Sequence, residues 1–256
     1  MFKIIKIIEN FFLKIYRKIQ SKTIYKNNFK TPEFYDYYFS KNEEKQIIQV
    51  GGNDGIQSDP LRIYLKVKGN YNVIIFEPIN FYYQKLKKLY SRRNDVLIKK
   101  FYVSNDDDIK KIYFIKPEIC EDYFVDKKND WLHGLGSFDK KNVENAINQS
   151  QFREVELKKN IEKLKNNIIS EEVSPFKLKN LNFSKNTLNL LVIDVQGFEL
   201  EVLSSLSFNE KVDYIVYEDE FPYSEKSKKI RKLLNMNNYE LIGRLTWLDQ
   251  IYKKRK

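Results

Sequence analysis

At 256 residues and 30.9 kDa, with 42% hydrophobic and 15% aromatic residues, the chain has the length of one domain with an appendage or two small ones, and enough apolar side chains for a sizeable core, which excludes global disorder. A single cysteine, Cys120, excludes an internal disulfide, a thiolate zinc site and an iron–sulfur cluster, and a single histidine, His133, excludes histidine-based metal sites and relays, so any metal would need oxygen ligands. The net charge of +11 permits an anionic membrane, an acidic glycan or a nucleic acid, but the lysines are spread along the chain with no RNA-recognition signature, which makes nucleic acid the unfavoured partner.

Residues 1–22 form an amphipathic pattern. Ile4, Ile8, Phe11, Phe12, Ile15 and Ile19 share one helical face, and Lys3, Lys6, Lys14, Arg17 and Lys18 gather on the other. The lysines interrupt it too often for a membrane span, and no small-residue cleavage site follows, so it is expected either to pack on the domain or to lie on an anionic membrane surface. The resulting expectation is a cytoplasmic protein with possible peripheral membrane contact. Residues 23–45 read as a connector with a short helix around Pro32–Phe39.

The main domain is expected over 46–256. A short apolar run, Gln46–Val50, stops abruptly at Gly51, Gly52 and Gly55, and Asp59-Pro60 supplies an N-cap and first helical residue for a helix over about 60–68. Strand, glycine turn and helix open a nucleotide-binding α/β unit. The spacing is neither the dinucleotide fingerprint nor a P-loop. Further along, the pattern predicts a strand at 72–77, a helix at 81–90, a strand near 96–103, and an antiparallel hairpin arm at 109–115 after the Asn105–Asp108 turn. Periodicity weakens over 116–186, which reads as an inserted acceptor-site lid. It holds a loop (131–138), a polar helix (139–166) and a connector around Pro175. Regular order returns with a buried strand at 188–194, a helix at 198–206, a strand at 212–218, a basic helix at 224–236, and a closing antiparallel hairpin at 239–252. Alternating strands and helices argue a mostly parallel sheet flanked by helices.

Four strands end in or near a carboxylate: Asp54, Glu77, Asp194 and Glu218. In an open α/β sheet, ligands bind outside the carboxyl ends of the strands, so parallel strands would bring these acids to one cleft. Such clustering is costly unless a cation or hydroxyl-rich ligand uses it. Glu77, 22 residues after Gly55 at the end of the second strand, stands where an acid holds the ribose hydroxyls of an adenosine-containing cofactor. The glycines would let backbone amides face that cofactor. His133, between Trp131 and Gly134, stands on a loop able to fold over the cleft.

Val50-Gly-Gly-Asn-Asp-Gly55, Phe76-Glu-Pro78, Gly134-Leu-Gly-Ser-Phe138 and Ile193-Asp-Val-Gln-Gly-Phe-Glu-Leu200 together resemble the FkbM-type methyltransferases, in order and spacing, over about residues 46–252. The resemblance implies the Rossmann-like class I methyltransferase fold, a seven-stranded sheet with an antiparallel last strand. It also implies O-methylation of a sugar, glycan or other small-molecule hydroxyl with S-adenosylmethionine (SAM). By the same carry-over Gly51, Gly52, Asn53, Asp54 and Gly55 would hold the methionine part of SAM, and Glu77 with Pro78 the ribose. Ser104 would flank the adenine, and Asp194 would face the methionine amine and the acceptor. Asp194, Glu218 and His133 are the candidate bases for the acceptor hydroxyl, and no metal is called for. Two positions depart from the family pattern: Gly52 stands where alanine is usual, and Gln196 where glutamate is usual. The alternatives are a non-catalytic SAM-fold binding protein, and an RNA methyltransferase using the basic surface.

Overall fold

The computed structural model describes residues 33–56, 59–66, 68–123, 132–150, 161–219, 222–244 and 248–255; the amphipathic segment 1–22 lies outside them. At the centre runs β1 (Lys45–Val50), whose alternate side chains enter different layers. Ile48 and Val50 pack with Phe76, Leu191 and Ile193, whereas Ile47 packs with Val73, Ile75 and Val192 on the other face. Burial on both faces is what makes this strand and the one at 188–193 read as continuous apolar runs.

β1 pairs in parallel with β2 (Tyr71–Phe76) on one side and with β9 (Leu188–Ile193) on the other. β3 (Val96–Lys99) extends the sheet beyond β2, and β10 (Tyr214–Glu218) extends it beyond β9, both in parallel. β12 (Asp249–Lys254) then runs antiparallel between β10 and β11 (Tyr239–Arg244). The order β3-β2-β1-β9-β10-β12-β11 reverses direction between β1 and β9, and this is the class I methyltransferase sheet that the resemblance implies.

Helices cover both faces. α1 (Glu33–Ser40), the short helix expected in the connector, is a layer of the fold: Phe34, Tyr35 and Tyr38 are buried against the sheet, and the Tyr38 hydroxyl donates to Leu188 O at 2.8 Å. α2 (Arg62–Leu65) is a single turn instead of the helix expected over 60–68. Asp59 Oδ1 accepts from Leu61 N (2.9 Å) and Gln49 Nε2 (3.3 Å), so it closes the turn ahead of the helix. α3 (Asn80–Leu89) packs Tyr82 and Leu86 inward. Behind β9 and β10 stand α7 (Glu199–Ser204) and α8 (Glu225–Met236), the latter capped by Ser224 Oγ accepting from Ser227 N.

The middle of the chain corrects the sequence reading most. The strand expected at 96–103 breaks: β3 ends at Lys99, and β4 (Tyr102–Val103) pairs instead with β8 (Pro175–Phe176), where a connector was expected. β5 (Lys110–Ile115) is no arm of a local hairpin. Its antiparallel partners are β7 (Ile168–Val173) and β6 (Gly136–Ser137), both distant in sequence and invisible to local pattern. α4 (Pro117–Tyr123) follows β5; in place of one polar helix over 139–166 stand α5 (Lys140–Ser150) and α6 (Ile161–Asn166), with 151–160 outside the described residues. Ile115, Cys120, Leu132, Val143, Ile147 and Leu164 give this inserted unit its own small core, with Cys120 as apolar filler.

Candidate active site

The carboxyl ends of β1, β2 and β9 open into a cavity of about 360 Å³, within the range of small-molecule sites. Gly51, Glu77, Pro78 and Asp194 line it from the sheet; Gly136, Phe138 and Asn142 line it from the inserted unit. Asn53, held at φ 46°, joins the two halves: its Nδ2 donates to His133 O at 3.2 Å, and a Cβ at Gly134 would lie 2.4 Å from that amide.

The glycine loop works by close packing, which corrects the expectation that its amides face a cofactor. Gly51 N and Gly52 N both donate to Phe76 O (3.0 and 3.1 Å), Asn53 N donates to Glu77 Oε2 (2.9 Å), and Gly55 N donates to Gly52 O (3.0 Å). These donors are spent on the end of β2 and, at Gly55, within the loop itself. The glycines are needed for approach: at Gly51, with φ +87°, a Cβ would sit 1.8 Å from Asp194 O, and at Gly52 it would meet the Ile75 side chain at 2.4 Å. Gly52, Asn53, Asp54 and Gly55 therefore stand behind the cavity wall. Asp54 is buried there, its Oδ1 accepting from Ile56 N at 2.8 Å.

Glu77 is 5% exposed and lines the cavity. Burial pushes its carboxyl up to about 8, against the backbone amides of Ile79, Asn53 and Gly52 that favour the charged form. A carboxylate anchored by amides at 2.9 Å on both oxygens is fixed in orientation, with lone pairs left for a ligand's hydroxyls.

Asp194 lines the cavity and is exposed to it at the end of β9. Desolvation raises its carboxyl above the usual range, opposed by hydrogen bonds with Gln196 and Glu218. The Gln196 amide is the bridge: Nε2 donates to Asp194 Oδ1 and to Glu218 Oε2, both at 3.1 Å. The strand-end acids of β9 and β10 thus form one hydrogen-bonded group across neighbouring parallel strands; of the four acids expected in one cleft, Glu77 and Asp194 line the cavity, Glu218 is reached through Gln196, and Asp54 stands behind the wall. Next to it Glu199, buried and raised to about 7 by desolvation, accepts from Gly197 N at 2.7 Å at the start of α7.

His133 and Ser104 are placed differently from the expectation. The His133 ring is buried at 3% exposure and packs edge-on against Tyr82 at 5.2 Å, outside the cavity lining, because Gly134 turns the chain and presents the backbone there instead. That geometry removes it as a base. Ser104 is also buried, its Oγ accepting from Asp106 N at 3.2 Å; the neighbouring Tyr102 and Val103 reach the cavity in its place.

Sequence reasoning missed the aromatic wall. Tyr102, Phe138 and Phe198 come from β4, the inserted unit and the start of α7, and meet with centroids 5.0 Å (Tyr102–Phe138), 4.8 Å (Phe138–Phe198) and 6.4 Å (Tyr102–Phe198) apart. Two of them stood inside quoted motifs, but their convergence depends on the β4–β8 and β5–β6 pairings. Among the described residues no group of three or more His, Cys, Asp or Glu side chains is arranged to hold a metal ion.

Residues 49–241 match the family described as the methyltransferase FkbM domain. No curated protein matches the chain. Among solved structures, fibrillarin from Aeropyrum pernix, in complex with natively bound S-adenosyl-L-methionine, is similar at 9% identity and TM-score 0.42, over 82% of this chain and 66% of that one, just under two thirds of its length. Ribosomal protein L11 methylase from Lactobacillus delbrueckii subsp. bulgaricus is similar at 10% identity and TM-score 0.39, over 86% of this chain and 74% of that one. The Methanococcus jannaschii fibrillarin pre-rRNA processing protein is similar at 7% identity and TM-score 0.40, over 83% and 67%.

Proposed function

The chain belongs to the FkbM methyltransferase family, and from that premise we propose that this SAM-dependent methyltransferase acts on a hydroxyl of a sugar, glycan or related polyhydroxylated small molecule. The observation that carries the reading is the Asp194–Gln196–Glu218 group at the cavity: a carboxylate open to the cavity and oriented by an amide is the base that a hydroxyl acceptor needs.

The residues suit the cofactor. Two carboxyl groups, Glu77 and Asp194, face a cavity of about 360 Å³ at the switch point of the sheet, complementary to a ligand with positive charge and a pair of ribose hydroxyls. Glu77 would take the ribose, with its oxygens aimed by the Asn53 and Ile79 amides. Val103 would flank the adenine from β4. Bound there, SAM supplies a methyl group on a positively charged sulfur.

The chain's own groups would do the rest. Asp194 would accept the acceptor hydroxyl's proton, and Gln196, donating to Asp194 and to Glu218, fixes the orientation of the carboxylate and favours its charged, proton-accepting form. The wall of Tyr102, Phe138 and Phe198 excludes water and fixes the acceptor's approach; good orientation contributes about 7–11 kcal/mol to such a step. Ser137, Asp139 and Asn142, polar groups on the opposite side, are available to acceptor hydroxyls.

The test is incubation of the protein with SAM and a glycan extract, with linkage analysis of the methylated product. O-methyl sugars are expected, and Asp194→Asn should lower kcat by about 10²–10⁴-fold. Methyl groups found only on nitrogen or carbon would sink the reading.

A further inference from the structure

The turn 195–198 carries the amide bridge, and side-chain packing does little to hold it. Gln196 and Gly197 are exposed with left-handed backbones (φ 52° and 95°), and a Cβ built on Gly197 would meet nothing within 4 Å. Charged side chains clamp the turn instead. Gly197 N donates to Glu199 Oε1 at 2.7 Å, and Gly197 O accepts from the Lys226 ammonium, which reaches it from the first turn of α8. Lys226 is also paired with Glu201 at 2.7 Å and stands 5.6 Å from the Phe198 ring centroid. That ion pair is partly exposed on both sides and contributes little stability by itself. Its place matters more: the ammonium grips the residue between Gln196, which orients Asp194, and Phe198, which lines the cavity. Its charge also opposes the burial that raises the Glu199 carboxyl, so it supports both ends of the clamp.

Resting on the methyl-transfer reading above, we propose that Lys226 is a positioning residue of the reaction: it holds the Gly197 turn so that Gln196 keeps the Asp194 carboxylate aligned and Phe198 stays in the aromatic wall. Lys226 does not itself line the cavity and acts through the turn. Without the ammonium, Gly197 O loses its donor and Glu199 is pushed further toward its neutral form, in which it is a weaker acceptor for Gly197 N. The turn then loosens, and a base displaced by even a fraction of an ångström costs rate without costing cofactor affinity.

The experiment uses the full chain with Lys226→Met, which keeps the bulk of the side chain and removes its charge. Hydrogen exchange follows the amides of 196–198, and calorimetry follows SAM binding. Transfer is read as S-adenosylhomocysteine release with methyl glycosides of glucose, galactose, mannose, rhamnose and fucose. Exchange should speed up by about tenfold or more, and kcat on the glycoside that reacts best should fall by about tenfold or more. The SAM Kd should stay within about twofold and the melting midpoint within about 4 °C. Lys226→Cys treated with 2-bromoethylamine regains an ammonium at nearly the length of lysine and should recover both protection and kcat. The same variant capped with iodoacetamide, which adds no charge, should recover neither. Cys120 is fully buried, and the unaltered chain carried through both treatments is the control. Unchanged exchange and kcat in Lys226→Met would overturn the proposal, as would equal recovery with the uncharged cap. Loss of SAM affinity and of the melting midpoint in step with kcat would overturn it too, since a merely structural residue gives that result. If the unaltered chain methylates none of the glycosides, the acceptor reading fails, and the exchange measurement with its two caps still decides the clamp.

Discussion

Gln196 holds a left-handed backbone, φ 52°, that glycine or asparagine more often fills, and from there its amide spans two carboxylates at 3.1 Å each. A glutamate at this position, usual in the family resemblance, would place a third negative charge between them; the amide donates instead. Its hydrogen bond favours the charged form of Asp194, which desolvation otherwise raises. Removing that donor lifts the Asp194 carboxyl further. Since the base acts only when deprotonated, the acid limb of the kcat–pH profile should move to higher pH. Gln196→Ala is expected to shift it by about one unit, because a hydrogen bond to a charged group is worth about 1.5–3 kcal/mol. A profile with an unmoved acid limb would show that Asp194 is not the titrating base.

Between elements, a close joint lies where the glycine loop meets β2 and α3. Gly52 has no room for a methyl group: a Cβ would lie 2.4 Å from Ile75 Cγ2 and 2.9 Å from Leu86 Cδ1, both in the buried layer behind β1. Alanine is usual here in the family pattern; in this chain the packing shows Ile75 filling the space. Gly52→Ala should therefore destabilise the fold by about 1–3 kcal/mol through overpacking. Ile75→Leu in the same chain, which removes the Cγ2 branch that the added methyl would meet, should restore most of the loss in thermal unfolding. Additive losses in the double variant would place the strain elsewhere. The same joint explains why the loop amides are unavailable: with Gly51 N and Gly52 N both on Phe76 O, the loop is a brace between β1 and β2.

Across the whole molecule, positive charge is distributed over the exterior while acids collect at the carboxyl ends of the strands, separating solvent-facing and site-facing electrostatics. Among the described residues no helix is long and apolar enough to cross a membrane. Residues 1–22 remain as a proposed interfacial helix. Flotation with anionic liposomes should be lost on deleting 1–22, while methyl transfer to a soluble acceptor is unchanged; equal flotation by both forms would end the proposal. The sequence by itself determined the sheet-forming strands, the glycine turn, the strand-end acids and the family, because each is written in local period, in turn chemistry or in short motifs. It also placed Glu77 and Asp194 at the cleft, since strands buried on both faces and ending in acids point them there. Only the tertiary structure decided that β5 pairs with β7, that the His133 ring turns onto Tyr82, that Gln196 ties Asp194 to Glu218, and that three rings from separate segments form one wall. Those outcomes rest on contacts between residues far apart in the chain, and their energies depend on packing that no local pattern encodes.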